Sequence, residues 1–171
     1  MKIGVISDTH GLLRPEAERA LERVGMIVHA GDVGDPTVLV GLKKIAPVFA
    51  VRGNVDIGAW AEELPLRAVV EANSSRFCIV HNLRELDLVP EQAGFDVVIS
   101  GHTHRVETRE RGRVWYLNPG SAGPRRFHLP VTLLIMERAR PGWKIEIVEL
   151  KRGESGLRRL PTQRGNAQSG N

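Results

Sequence analysis

Five times in this sequence a short apolar run stops at side chains that bind metals. Lys2-Ile3-Gly4-Val5-Ile6 leads into Ser7-Asp8-Thr9-His10, and Met26-Ile27-Val28-His29-Ala30 into Gly31-Asp32-Val33-Gly34-Asp35. Pro47 to Arg52 leads into Gly53-Asn54-Val55-Asp56, Phe77 to Val80 into His81-Asn82, and Phe95 to Ser100 into Gly101-His102-Thr103-His104. Runs of this length read as strands. In an open α/β sheet the carboxyl ends of parallel strands share one edge, where ligands bind. If these runs are parallel strands, donors scattered over roughly a hundred positions meet in one place.

Between the runs the pattern is helical. Arg14 to Val24 has Pro15 at its start and apolar Ala17, Ala20, Leu21 and Val24 on one stripe, with Gly25 to end it. Asp35-Pro36 opens a second helix through Lys43, with Asp35 as its N-cap. A loop carrying Trp60 and Pro65 follows, then strands over 66–71 and 76–80 joined by a turn at Asn73-Ser74. After residue 105 the pattern is β throughout: strands over 106–111 and 113–117 flank Gly112, and strands over 130–137 and 142–150 flank a Pro-Gly turn. The expected fold is α/β, one domain over residues 1–150 with two packed mixed β-sheets flanked by helices.

The chain has 171 residues, enough for one domain with a sizeable core. Its longest apolar runs are strand-sized, no charged-then-apolar leader precedes Lys2, and its one cysteine excludes an internal disulfide framework. These features place the expected protein in the cytoplasm, away from membranes. The net charge is +4, yet Lys151, Arg152, Arg158, Arg159 and Arg164 against Glu154 account for all of it. Residues 1–150 are therefore neutral, and 151–171 read as a basic, disordered tail. A neutral body lacks the basic surface that tracks a nucleic-acid backbone, so no specific nucleic-acid partner is expected.

Imidazole mixed with carboxylate and amide oxygen suits Mn, Fe, Zn or Ni, whereas Mg and Ca prefer oxygen alone. Asp8 and His10 lie two apart beyond a strand, as do His102 and His104 after Gly101. One carboxylate has two oxygens and can bridge two ions about 3.5–4 Å apart. Taken singly, each piece is ordinary turn chemistry. Their joint occurrence, in this order and each after a strand, is what points to a metal site. His29 and Cys78 read as packed residues.

With these motifs in hand, the sequence resembles the calcineurin-like metallophosphoesterases. That family's pattern runs Asp-x-His, Gly-Asp-x-x-Asp, Gly-Asn-[His/Asp]-[Asp/Glu], His, then Gly-His-x-His. It is met here by Asp8/His10, Gly31/Asp32/Asp35, Gly53/Asn54 with Asp56, His81, and Gly101/His102/His104. The resemblance continues through Asn118-Pro119-Gly120-Ser121 and Pro124-Arg125, and is closest to the small bacterial and archaeal phosphodiesterase branch that also includes the retromer small subunit.

The resemblance implies two divalent ions, with Mn²⁺ preferred and Ni²⁺, Fe²⁺, Zn²⁺ or Mg²⁺ as alternatives. One ion falls to Asp8, His10, Asp32 and His104, the second to Asp32, Asn54, His81 and His102, with Asp32 bridging. A bridging hydroxide is then expected to attack phosphorus, with Asp32 and Asn54 as the catalytic residues and Asn54 and Arg125 as substrate contacts. Asp35 is expected to orient its neighbours or cap its helix. The implied activity is hydrolysis of a small organic phosphodiester. Alternatives are a phosphomonoesterase on the same site, a non-catalytic metal-binding scaffold and a nuclease. Two positions depart from the pattern. Val55 stands where many relatives have a proton-donating His, and Asn82-Leu83 follows His81 where Gly is common.

Overall fold

The runs that end in donor side chains are strands, divided between two sheets. The computed structural model describes residues 1–126, 128–140, 142–151 and 157–160. The chain begins β1 (Lys2–Ile6), α1 (Pro15–Leu21), β2 (Met26–His29), α2 (Pro36–Lys43), β3 (Val48–Ala50) and α3 (Ala59–Glu62). It continues β4 (Arg67–Ala72), β5 (Ser75–Val80), β6 (Val97–Ile99), β7 (Val106–Arg111) and β8 (Val114–Pro119). It closes with β9 (Thr132–Arg138), β10 (Trp143–Leu150) and β11 (Leu157–Leu160). One sheet has the order β11-β10-β9-β1-β2-β3, the other β4-β5-β6-β8-β7. The parallel strands are β1, β2 and β3 at one end of the first sheet, with β3 at its edge, and β5, β6 and β8 in the middle of the second. Antiparallel pairs extend the first sheet beyond β1 and flank the second on both sides, so both sheets are mixed, as expected.

Alternation along β1 shows how the layers form. Ile3 and Val5 point between the sheets, joining Val28, Phe77, Ile79, Val97, Ile99, Leu134 and Met136. Ile6 points the other way, under α1 and α2, with Ala17, Leu21, Ile27, Val38 and Leu42. Gly4 shares that outer face, and a Cβ there would strike Leu21, so glycine lets α1 lie close on β1. The outer face of the second sheet is covered by the segment after β5, through Leu83, Leu86, Leu88 and Ala93 over Cys78, Val80 and Val98.

Turn chemistry behaves as its residues dictate. Asn73 and Ser74 both adopt left-handed φ, 51° and 59°, giving the two-residue turn whose twist matches the β4–β5 ribbon. Asp35 caps α2, its Oδ1 accepting from the Thr37 N–H at 2.8 Å.

Three details differ from the expectation. The first helix stops at Leu21, because the chain must turn back for Gly25 N–H to reach the Lys2 carbonyl and start β2 beside β1. The loop at Trp60 contains the single turn α3. Within the tail expected to be disordered, β11 adds antiparallel to β10 through 147–150 and 157–160; residues 152–156 and 161–171 lie outside the described residues. Among the described residues no helix is long and apolar enough to cross a membrane.

Phe77 is fully buried between the sheets and meets Trp143 edge-on at 5.5 Å. Phe77→Ala is expected to cost about 3–5 kcal/mol in urea unfolding. A loss under about 1 kcal/mol would show that the inter-sheet layer is not the main core.

Candidate metal centre

The strand ends of both sheets open on one edge, and short backbone bonds zip their loops together. Asp8 N–H donates to Gly31 O, His10 N–H to Asp32 O and Gly11 N–H to Val33 O, at 3.0, 3.0 and 2.7 Å. These bonds tie the loop after β1 to the loop after β2. Across the sheets, His81 Nδ1 lies 2.8 Å from the Ala30 carbonyl, and within the second sheet Gly101 N–H donates to His81 O at 2.9 Å. Asn118 Nδ2 donates to Gly101 O at 2.7 Å, fixing the loop that carries His102 and His104.

Glycine is required where these loops touch. A Cβ on Gly53 would overlap the backbone and carboxylate of Asp32. One on Gly31 would enter the His81 ring, and one on Gly101 would meet Asp8 Oδ2 at 2.7 Å. The donors themselves carry the strain. Of the seven non-glycine residues at positive φ among those described, five are Asp8, His10, Asp32, His102 and His104. Such backbone persists only where its surroundings over-determine it, and it concentrates at functional sites.

The side chains converge. Ligand atoms of Asp8, His10, Asp32 and His104 all lie within 4.8 Å of one another. His104 Nε2 is 3.1 Å from Asp8 Oδ1, and His10 Nε2 is 3.4 Å from His104 Nε2. Asp32 faces two ways: Oδ2 lies 3.9 Å from His10 Nε2, and Oδ1 lies 3.3 Å from His81 Nε2. The His81 and His102 rings are 5.2 Å apart, placing His102 on the second flank. Asn54 is exposed at the rim, between Gly53, packed on Asp32, and Val55, whose N–H donates to Asp32 Oδ1 at 3.0 Å.

Divalent ions fit this arrangement. Asp8 Oδ1 and His81 Nε2 are buried with no hydrogen-bond partner among the described residues. Asp8 Oδ2 is already engaged by Ser7 Oγ at 2.5 Å and His102 N–H at 3.2 Å, which leaves Oδ1 free to face inward. Once His81 Nδ1–H donates to Ala30, a neutral ring presents a bare Nε2 lone pair to the Asp32 carboxylate. Lone pairs facing each other at this distance need a proton or a cation between them.

Burial works against ionisation of Asp32, but the His81 hydrogen bond, the Val55 N–H and the nearby imidazoles prevail and hold its pKa at about 2. Burial also opposes a charged His81, yet Asp32 and the Ala30 carbonyl raise its pKa. The His10 pKa is lowered, first by burial and then by the Arg126 guanidinium.

Sequence reasoning missed Asp56 as an organiser. It is buried, and its two oxygens accept from Gly34 N–H and Gly53 N–H, both at 2.7 Å, clamping the loop after β2 to the loop after β3. Asp35, expected to cap or to orient, is seen as a cap, its oxygen taken by Thr37. Spacing alone does not distinguish the two carboxylates. His29 is packed, as expected, and it also anchors the first metal loop. Thr9 Oγ1 donates to Val33 O at 2.9 Å and so accepts from His29 Nε2–H, also at 2.9 Å. Arg125 and Arg126 line a shallow cleft with His104 and Ser121.

Residues 1–140 match the calcineurin-like phosphoesterase superfamily domain, and the chain belongs to that family. It is 37% identical over 147 residues to a probable metallophosphoesterase of Methanothermobacter thermautotrophicus, covering 79% of this chain and 85% of that protein. It is 30% identical over 139 residues to a phosphodiesterase of Methanocaldococcus jannaschii, covering 70% and 83%. The fold is shared with Vps29 of Chaetomium thermophilum, with a TM-score of 0.77 at 22% identity over 94% of this chain and 97% of that one.

Fully buried, His29 has its pKa depressed from 6.5 to about 4, chiefly by desolvation. The unfolded chain therefore takes up this proton first. The contribution is complete above pH 6.5 and is lost as pH falls towards 4. His29→Gln keeps a donor for Thr9 but cannot titrate. In metal-stripped protein, the wild type should lose roughly 2 kcal/mol more than this variant between pH 7 and pH 5 in denaturant melts. Equal losses would show that His29 is not the titrating group.

Proposed function

We propose that this phosphoesterase is a dinuclear phosphodiesterase acting on small organic phosphodiesters. The observation that carries the reading is Asp32, whose two carboxylate oxygens face two separate imidazole sets, His10 on one side and His81 on the other. Asp8, His10, Asp32 and His104 would hold one divalent ion, and Asp32, Asn54, His81 and His102 the other, with Mn²⁺ preferred for the mixed donor set. When bound, two such ions supply Lewis-acid charge and lower the pKa of a water to near neutrality.

The chain's own residues do the rest. Ser7, the His102 N–H and the Ala30 carbonyl fix the rotamers of Asp8 and His81, so the site is organised before substrate arrives. Asn54 has an amide with an acceptor and a donor end, suiting it to bind an ion through oxygen and steady a phosphoryl oxygen through N–H. Val55 has no proton to give to a departing oxygen, which favours substrates whose leaving groups depart as stable anions. The reading takes a small diester as partner and, from the neutral charge of residues 1–150 and the strand-sized apolar runs, neither a specific nucleic acid nor a membrane, with the cytoplasm as compartment. The full donor set supports catalysis over the scaffold reading, and Val55 favours diester over monoester turnover.

Metal-stripped protein with Mn²⁺ restored should hydrolyse a chromogenic aryl phosphodiester faster than the matching monoester. Asp32→Ala should lower that rate by more than about a hundredfold, since losing even a residue that merely supports a ligand costs about 10–100-fold. Monoester preference would replace this reading with the phosphatase, and no turnover of either with two bound metals would favour the scaffold.

Without a proton donor at position 55, rate should fall steeply as leaving-group pKa rises. Aryl diesters should therefore outpace alkyl diesters by orders of magnitude, and equal rates would exclude an unassisted departure.

A further inference from the structure

Beside the donor cluster, the segment after β8 forms a second wall. Its base is rooted in the metal loop: Gly123 N–H donates to Asp8 O, and Arg14 donates twice to Gly123 O, at 3.1 and 3.0 Å. A Cβ on Gly123 would press into the Asp8 and Thr9 carbonyls, so the segment cannot sit further in. From this root Pro124, Arg125 and Arg126 extend along a cleft that shares His104 with the donor cluster and is also lined by Ser121, whose Oγ donates to Asp8 O at 2.9 Å. Both arginines are exposed, and among the described residues neither has a carboxylate within ion-pair distance.

Charge balance says what the arginines want. Two divalent ions against Asp8, Asp32 and the attacking hydroxide would leave one positive charge. A phosphodiester brings a single negative charge and would balance the ion site, which leaves both guanidinium groups without a counter-charge. Two unpaired guanidinium groups beside a site that the diester already balances are suited to a further anion, and guanidinium binds phosphate through paired N–H groups.

We propose that Arg125 and Arg126 form a subsite for a second anionic group, a phosphate monoester carried by the diester substrate beyond its scissile phosphorus. The inference rests on the phosphodiesterase reading and narrows its substrates to phosphorylated diesters. It assigns Arg126 a role alongside Arg125, with both acting on selectivity away from the reacting phosphorus.

The test uses full-length Mn²⁺-loaded protein and two matched pairs of probes. Calorimetry compares thymidine 3′,5′-bisphosphate with thymidine 5′-phosphate. Kinetics compares thymidine 5′-(p-nitrophenyl phosphate) with its 3′-phosphorylated counterpart. The second phosphate should lower Kd and KM about tenfold, as expected for a charge-assisted contact. In an Arg125→Gln, Arg126→Gln double variant, checked for an unchanged melting temperature, both ratios should fall to within about twofold of unity. Lys144→Gln, on β10, controls for net charge and should keep the wild-type ratios. Ratios near one in the wild type, or a preference surviving in the double variant, would overturn the subsite. Absence of diester turnover would instead refute the phosphodiesterase, and the calorimetric ratio would still decide the subsite.

Discussion

Everything at the open edge of this fold depends on holding together groups that repel one another. Asp8, Asp32 and their neighbouring imidazoles aim lone pairs and negative charge at a shared space, with contacts of 3.1–3.9 Å. Left to themselves, such side chains would swing to solvent. Backbone bonds between the loops after β1 and β2, the Asp56 clamp and the Asn118 brace hold the loops that carry them. The left-handed φ at five donor residues is the local strain that remains. The sandwich is stiff enough to bear it because its inner layer is continuously packed from β1 through β10.

This division of labour explains why so few helices suffice. The parallel strands deliver donors to a common edge, the antiparallel strands widen the sheets and supply apolar cover, and α1 and α2 seal only one outer face. Chemistry is confined to the loops at one end, and the inter-sheet core lies behind it.

The donors were legible because residue type and position carry the same message. An Asp or His past one strand-sized apolar run is ordinary turn chemistry, but five such endings in one chain are not, and Asp8, Asp32, His81 and His104 do converge. The strands were legible as short apolar runs, and two packed mixed sheets were expected; which strand joins which sheet was not legible, since an apolar run says that a strand is buried and never against what. Asp56 was hidden because its partners, Gly34 and Gly53, come from different loops that only the fold brings together. Strand β11 escaped notice because Leu157-Arg158-Arg159-Leu160 is short and lies in polar surroundings; its pairing uses the backbone edge that β10 leaves open. Nothing in the sequence separates a phosphate contact from a solvated loop at Arg126; the cleft it lines with His104 does.

The donors are supplied from both halves of the sandwich: Asp8, His10, Asp32 and Asn54 follow strands of the six-stranded sheet, and His81, His102 and His104 follow strands of the five-stranded one. An ion gripped by both acts as a rivet across the seam between the layers. Its binding free energy is then drawn from the same reservoir as the cohesion of the sandwich, so the holoprotein resists separation of its layers by mass action as well as by packing. Local metal availability thereby becomes a regulator of how long the folded chain survives, as well as of what it can catalyse.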